Sequence, residues 1–294
     1  MKVYTTRLNN LHKKTIKDLK KNEIVNIDPE ILNRGGIINE KINVLTINHT
    51  GLGNNLFEIC NLLGYAWDNN LEYCFPDINL LYSKIEDYPK DTIYRNLPIN
   101  CNNENPVIVK HMIYYYNNFH KYKNKLLDIF SIDENSHKYI MEKYGELFQK
   151  PTISVHVRRG DFLFIAERWN KEYIVKQSYH HKALKYILDR TSDDYNILVF
   201  SNDIEWCREN LIFKNERITT YYVEGNLDYI DLWLMSLCSH NIIESSTMSW
   251  WGAYFNKNPD KIVVCPRKSI FKEKGKLDVH NKKFYPEKWA IIKE

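Results

Sequence analysis

From Pro151 onward the chain repeats one rhythm: a short β-branched apolar run, a loop, then a helical run. Apolar segments at 153–157, 197–200, 220–223, 242–243 and 262–265 alternate with helical periodicity over 178–190, 203–210, 228–239 and 250–256. A strand that is apolar on both sides must be covered on both faces, and helices returning between strands impose parallel pairing. The pattern therefore predicts a doubly wound α/β sheet. No internal repeat or low-complexity stretch interrupts it.

A weaker α/β unit precedes this one. A strand at 42–47 runs into the glycine loop His49-Thr50-Gly51-Leu52-Gly53-Asn54-Asn55, and a helical run carrying Leu56, Phe57, Ile59, Cys60, Leu62, Leu63, Ala66 and Trp67 follows. Further strands are expected at 72–75 and 107–109. Residues 76–105 and the Tyr-rich 111–125 show little periodicity and are expected to be irregular. Ser131 with Glu134 forms a capping-box pattern, which predicts a helix to about Phe148. The expected organisation is an N-terminal extension (1–41), an α/β domain (42–150) and a second α/β domain (151–294). Within the extension, Leu8, Leu11, Ile16 and Leu19 alternate with Lys13, Lys14, Lys17, Lys20 and Lys21, a short basic helix whose small apolar face suits packing on the body.

Charge excludes one function class. The net +4 comes from the two ends: residues 1–41 carry nine Lys/Arg against five Asp/Glu, residues 261–294 ten against four, and the middle is acidic. A nucleic-acid-binding protein needs a basic stripe on one face of a domain, so none is expected as a partner. The basic ends leave room only for weak peripheral attraction to an anionic membrane surface. No 18-residue apolar run and no apolar signal core is present, so an integral membrane segment is not expected and the expected location is cytoplasmic. Six cysteines lie far apart without a C-x-x-C pair, which predicts reduced thiols rather than a zinc site.

Ligands of open α/β sheets bind beyond the carboxyl ends of the strands, so three loops carry the chemistry. The first, His156-Val157-Arg158-Arg159-Gly160-Asp161, sets two guanidinium forks at a strand end, where they suit phosphate oxygens. Gly160 admits close backbone approach and Asp161 is placed to orient an arginine; a surface ion-pair cluster is the alternative. In the second, Ser201-Asn202-Asp203, the side chains serve equally as helix caps or as ligand groups. The third, Glu244-Ser245-Ser246-Thr247-Met248-Ser249-Trp250-Trp251-Gly252, offers hydroxyls ahead of a helix start to an anion, while its tryptophans read as core. The loop Gly51-Leu52-Gly53-Asn54-Asn55 matches neither a dinucleotide fingerprint nor a P-loop, yet it too opens a helix beyond a strand.

Taken together, His156 to Asp161, Phe200 to Cys207 and Ser245 to Ala253 resemble the three motifs of the α-1,2-fucosyltransferases, glycosyltransferase family eleven, with the glycine loop similar to that family's opening motif. The chain departs from the family pattern at Thr50, Asn55 and Met248. The resemblance covers residues 42–290 and implies a GT-B-like α/β fold of two facing Rossmann-like domains with parallel sheets. It implies an inverting, metal-independent transfer of L-fucose from GDP-fucose to the 2-hydroxyl of a galactose-containing glycan, with no cofactor. Arg158 and Arg159 would receive the charge growing on the departing diphosphate. His156 would lie by the nucleoside, and Asp231, at the opening of its helix, would read guanine. Asn202, Asp203, Ser245, Ser246 and Thr247 would complete the donor site. Gly51, Gly53, Asn54 and Asn55 would form an acceptor or phosphate loop. Asp161 and Glu167 are the carboxylates within sequence reach for a general base, with Asp161 better placed to hold the arginines. Fucosyl transfer of other linkage, protein O-fucosylation, and a non-catalytic carbohydrate-binding protein are the competing readings.

Overall fold

The computed structural model describes residues 41–46, 51–70, 72–74, 93–97, 106–109, 116–160, 162–164, 175–267 and 284–293. The basic helix expected over 8–24, Asp161 and Glu167 lie outside these residues. The chain forms two compact units, Met1–Ser131 and Ile132–Glu294.

In the first unit, three parallel strands are ordered β2-β1-β3: β1 (Lys41–Thr46), β2 (Glu72–Cys74) and β3 (Pro106–Val109). Helix α1 (Leu52–Asp68) begins at the glycine loop, where the backbone N–H groups of Asn54 and Asn55 both donate to Gly51 O. Its burial extends all round, taking in Leu56, Phe57, Ile59 and Leu63 together with Asn55, Glu58 and Asn61. Each large apolar side chain so buried stabilises by about 1.5–3 kcal/mol. The Tyr-rich segment, expected to be irregular, is helical in its described part, forming α2 (Asn117–His120) and α3 (Lys123–Ile129). These are short turns anchored by single buried residues, Phe119 and Leu126, too brief to register as periodicity.

The second unit opens before residue 150, with α4 (Glu134–Tyr144) and a 3₁₀ turn (Gly145–Gln149). Asp133, not Ser131, caps α4 by accepting the N–H of Ser136 at 2.8 Å; Ser131 instead receives Arg95, whose Nη2 donates to its hydroxyl at 2.9 Å. Lys143 and Asn226 tie α4 into the second unit, which places the division ahead of the boundary expected near 150.

Six parallel strands then form one sheet: β4 (Thr152–Val157), β5 (Tyr195–Ser201), β6 (Ile218–Val223), β7 (His240–Ile242), β8 (Val263–Pro266) and β9 (Ala290–Ile292), in the order β6-β5-β4-β7-β8-β9. The connecting helices are α5 (Gln177–Leu188), α6 (Ile204–Asn210), α7 (Asp228–Leu237) and α8 (Thr247–Phe255). The chain winds outward from β4 to one edge and then crosses to β7 on the other side. The topological switch point, where such sheets bind ligands, therefore lies between β4 and β7.

Ile153, Val155, Val157, Ile197 and Val199 form a core with Tyr179 and Ala183 of α5 and Cys207 of α6. On the other face Ser154 meets the buried Asn241, whose amide donates to Ser154 Oγ (2.7 Å) and to Met235 O (2.8 Å) and accepts from Asn256 (2.8 Å). This network joins β4, β7, α7 and α8 beneath the switch point. Gly252 lets α7 and α8 approach, since a Cβ there would sit 2.8 Å from Met235 Cβ. Trp250 and Trp251 are fully buried, as the core reading expected. Cys60, Cys207, Cys238 and Cys265 are free and buried.

Candidate active site

Strand β4 pairs with β5 as far as Val157 opposite Ser201, and beyond it the chain turns through Arg158, Arg159 and Gly160. Side chains take over where strand pairing stops. The Arg158 N–H donates to Glu244 Oε2 at 2.9 Å, and the Arg159 N–H donates to Asn202 Oδ1 at 2.9 Å, while the Asn202 amide returns a bond to Arg159 O at 3.2 Å. Gly160 adopts φ +55°, a left-handed conformation that favours glycine, and any Cβ would run into the Asn202 amide.

The Arg159 side chain is fixed on two sides. Its Nε bonds Asp203 Oδ2 at 3.1 Å, and its guanidinium carbon lies 3.5 Å from the centre of the Trp206 ring. Stacking and the single Nε bond leave both terminal nitrogens without a bond to any described residue. Asp203 also caps α6 by accepting from Trp206 N. Asn202 and Asp203 thus act on the arginine loop; Asp161, expected to hold the arginines, lies outside the described residues. Trp206 carries no signal in the sequence beyond being an aromatic one turn into the helix.

Across the switch point, Ser245 is buried and Ser246 takes the N-cap position of α8 without a side-chain cap bond. Thr247 is the first helical residue, so the helix N-terminus, with its partial positive charge, opens from the loop after β7, whose Glu244 is bonded to Arg158. His156, on β4, is buried, and burial first, then the charge of Arg158 and the neighbouring His180, lowers its pKa to about 3. It is neutral at any pH near 7.

Asp231 lies in the first turn of α7, which begins at Asp228. Its Oδ1 accepts from Asn226 at 2.8 Å, and Asn226 in turn bonds Tyr144 and Lys143 of α4. Burial raises the Asp231 pKa to about 6 against the lowering effect of that hydrogen bond. Asp228 is raised likewise, to about 6, chiefly by burial. The contact of Glu244 with the arginine loop is one that sequence reasoning missed: its one visible sign was a charged residue at the end of an apolar strand. Gly51, Gly53, Asn54 and Asn55 belong to the first unit, at the start of α1, where Asn55 is buried in that unit's own packing. No group of three His, Cys, Asp or Glu among the described residues could hold a metal ion.

The model of glycosyl transferase family 11 matches residues 91–292. The chain belongs to glycosyltransferase family 11. Within this family the O-antigen biosynthesis glycosyltransferase WbnK of Escherichia coli is 41% identical over 121 residues, 40% of this chain and 38% of the relative. An Escherichia coli protein named alpha-1,2-colitosyltransferase is 30% identical over 180 residues, 60% of this chain and 59% of its own length. The family 11 chain therefore matches less than two-thirds of the length of these relatives. In fold it is similar to the α-1,6-fucosyltransferase NodZ of Bradyrhizobium, in a crystal soaked with GDP-fucose, at a TM-score of 0.50 and 11% identity over 74% of this chain and 93% of that one. The family 11 chain is thus an α/β protein of GT-B type, and no described helix is long and apolar enough to cross a membrane.

Proposed function

We infer that the chain transfers L-fucose from GDP-fucose to the 2-hydroxyl of a terminal galactose on a glycan, with inversion and without a metal ion. The observation that carries this is the Arg159 fork, held by Asp203 and Trp206 at the switch point with its terminal nitrogens turned to no described residue. As the bond from sugar to phosphate breaks, negative charge grows on the diphosphate. Pre-positioned cations and N–H dipoles absorb that charge without reorganising. Arg158, Arg159 and the start of α8 with Ser245, Ser246 and Thr247 supply them, in the task a metal would otherwise perform. Neutral His156 adjoins the nucleoside without adding charge, and Asp231, as a carboxylate, accepts the N1–H and amino group of guanine. Asp161 or Glu167 takes the proton of the acceptor hydroxyl, and the loop Gly51, Gly53, Asn54 and Asn55 contacts the acceptor or the phosphates.

The relative named alpha-1,2-colitosyltransferase favours a second reading, in which the sugar moved is colitose and the linkage is unchanged. Incubating the protein with GDP-fucose and a panel of galactosides, and determining the linkage of each product, tests the first reading. Donor hydrolysis and transfer both absent, with GDP-fucose bound, would turn it down in favour of the second.

A further inference from the structure

Beneath the arginine loop lies a carboxylate to which the proposed reaction gives no task. Glu244 is only 3% exposed. Its Oε2 accepts the Arg158 N–H, and its Oε1 lies 2.9 Å from Nε2 of His180, itself 1% exposed and in the first turn of α5. The adjacent Tyr179 hydroxyl donates to Ile243 O (2.6 Å) and bonds Val264 O (3.0 Å), so that turn of α5 is locked to the ends of β7 and β8. A carboxylate is tolerated at such burial only when its charge is met, and here the Arg158 N–H donates to one oxygen while the His180 ring stands in ion-pair range of the other without forming a hydrogen bond to it. Beyond the last β4–β7 pair Glu244 takes over on one side and holds Arg158, and beyond the last β4–β5 pair Asn202 does so on the other and holds Arg159. An apolar residue at 244 would fill the same space and leave the Arg158 N–H without its acceptor.

We propose that Glu244 and His180 are a positioning pair, which sets the height and direction of the Arg158–Arg159 loop against the diphosphate of the bound nucleotide. The proposal rests on reading that loop as a diphosphate site. Neither residue touches the substrate; both act through the backbone of Arg158.

The test is titration calorimetry of the full chain with GDP and with guanosine, accompanied by thermal melts. Glu244→Leu should weaken GDP about tenfold or more and leave guanosine nearly unchanged, because only the phosphates meet the arginines. Glu244→Gln keeps an oxygen for the Arg158 N–H and should recover most of that affinity. His180→Leu should weaken GDP in the same phosphate-dependent way, with His180→Gln, which keeps a polar group facing Oε1, restoring it. If Glu244→Leu does not melt cooperatively, His180→Leu, with the carboxylate in place, decides. Folded leucine variants that bind GDP as the wild type does, or that lose GDP and guanosine equally, overturn the positioning role. A wild-type chain that binds no GDP removes the functional reading itself.

Discussion

Replacing Arg159 with alanine removes a charge, a stacked plane and a pre-aimed fork at once, and the structure separates their worth. Stacking on Trp206 contributes about 0.5–1 kcal/mol to stability. The pair with Asp203 adds little, about 0–1 kcal/mol, because the Asp203 side chain is 36% exposed. The fold should therefore survive. Catalysis should not: losing one pre-organised donor to a developing oxyanion typically costs about 2.7–4 kcal/mol, a loss of roughly 10²–10³ in turnover. Arg159→Lys keeps the charge but cannot bond Asp203 and a phosphate together, and should recover only part of the rate. The assay is release of GDP coupled to transfer onto a galactoside, with melting curves alongside. An alanine variant that is folded and keeps kcat/KM within about threefold of wild type refutes the reasoning, because the fork would then be pointing at nothing that matters to the reaction.

Asp231→Asn should weaken GDP by about 1–3 kcal/mol, since an amide presents a donor where guanine also donates. Because burial raises this carboxyl to about 6, wild-type GDP affinity should fall as pH drops through that value, and calorimetry at pH 7.5 and 5 reads both effects. Transfer should continue in excess EDTA; activity lost to the chelator and restored by magnesium or manganese would contradict the arginine-based charge stabilisation. His156, lowered to about 3 in the fold, takes up its proton near 6.5 once unfolded, so the stability it lends is full above about 6.5 and is lost as pH falls towards 3. The unfolding free energy of His156→Leu from urea titrations should accordingly drop less between pH 6 and 4 than that of the wild type, by about 1.4 kcal/mol per pH unit.

The strands of the second unit were legible because β4 is buried throughout and β5 as far as Phe200, and strands covered on both faces read as short runs rich in β-branched and apolar residues. Strand β9 was not, being three half-exposed residues whose place is fixed by pairing to β8 rather than by pattern. Arg158 and Arg159 were legible as chemistry from their position at a strand end. What holds them was not. Glu244 lies 86 residues from Arg158 in sequence, and Asn202 lies 43 from Arg159, so both contacts exist only once strand order has brought separate loops together. The capping of α4 failed for a local reason: Ser131 and Asp133 both suit the role, and Arg95 draws the serine away.

The short strand β9 has a consequence for how this chain keeps to itself. It pairs with β8 from Val264 to Pro266, and the segment before it is pinned by the Trp250 indole, which donates to Phe284 O at 2.8 Å and packs near Trp289. Stripping residues 284–293 would bare the backbone row of an otherwise buried strand and take away the Phe284 carbonyl that accepts from the Trp250 indole. An exposed, flat, apolar edge invites another chain to add itself there. Shortened versions of the protein that end before Phe284 should therefore be sticky before they are inactive, precipitating with increased thioflavin binding while the arginine loop is still intact.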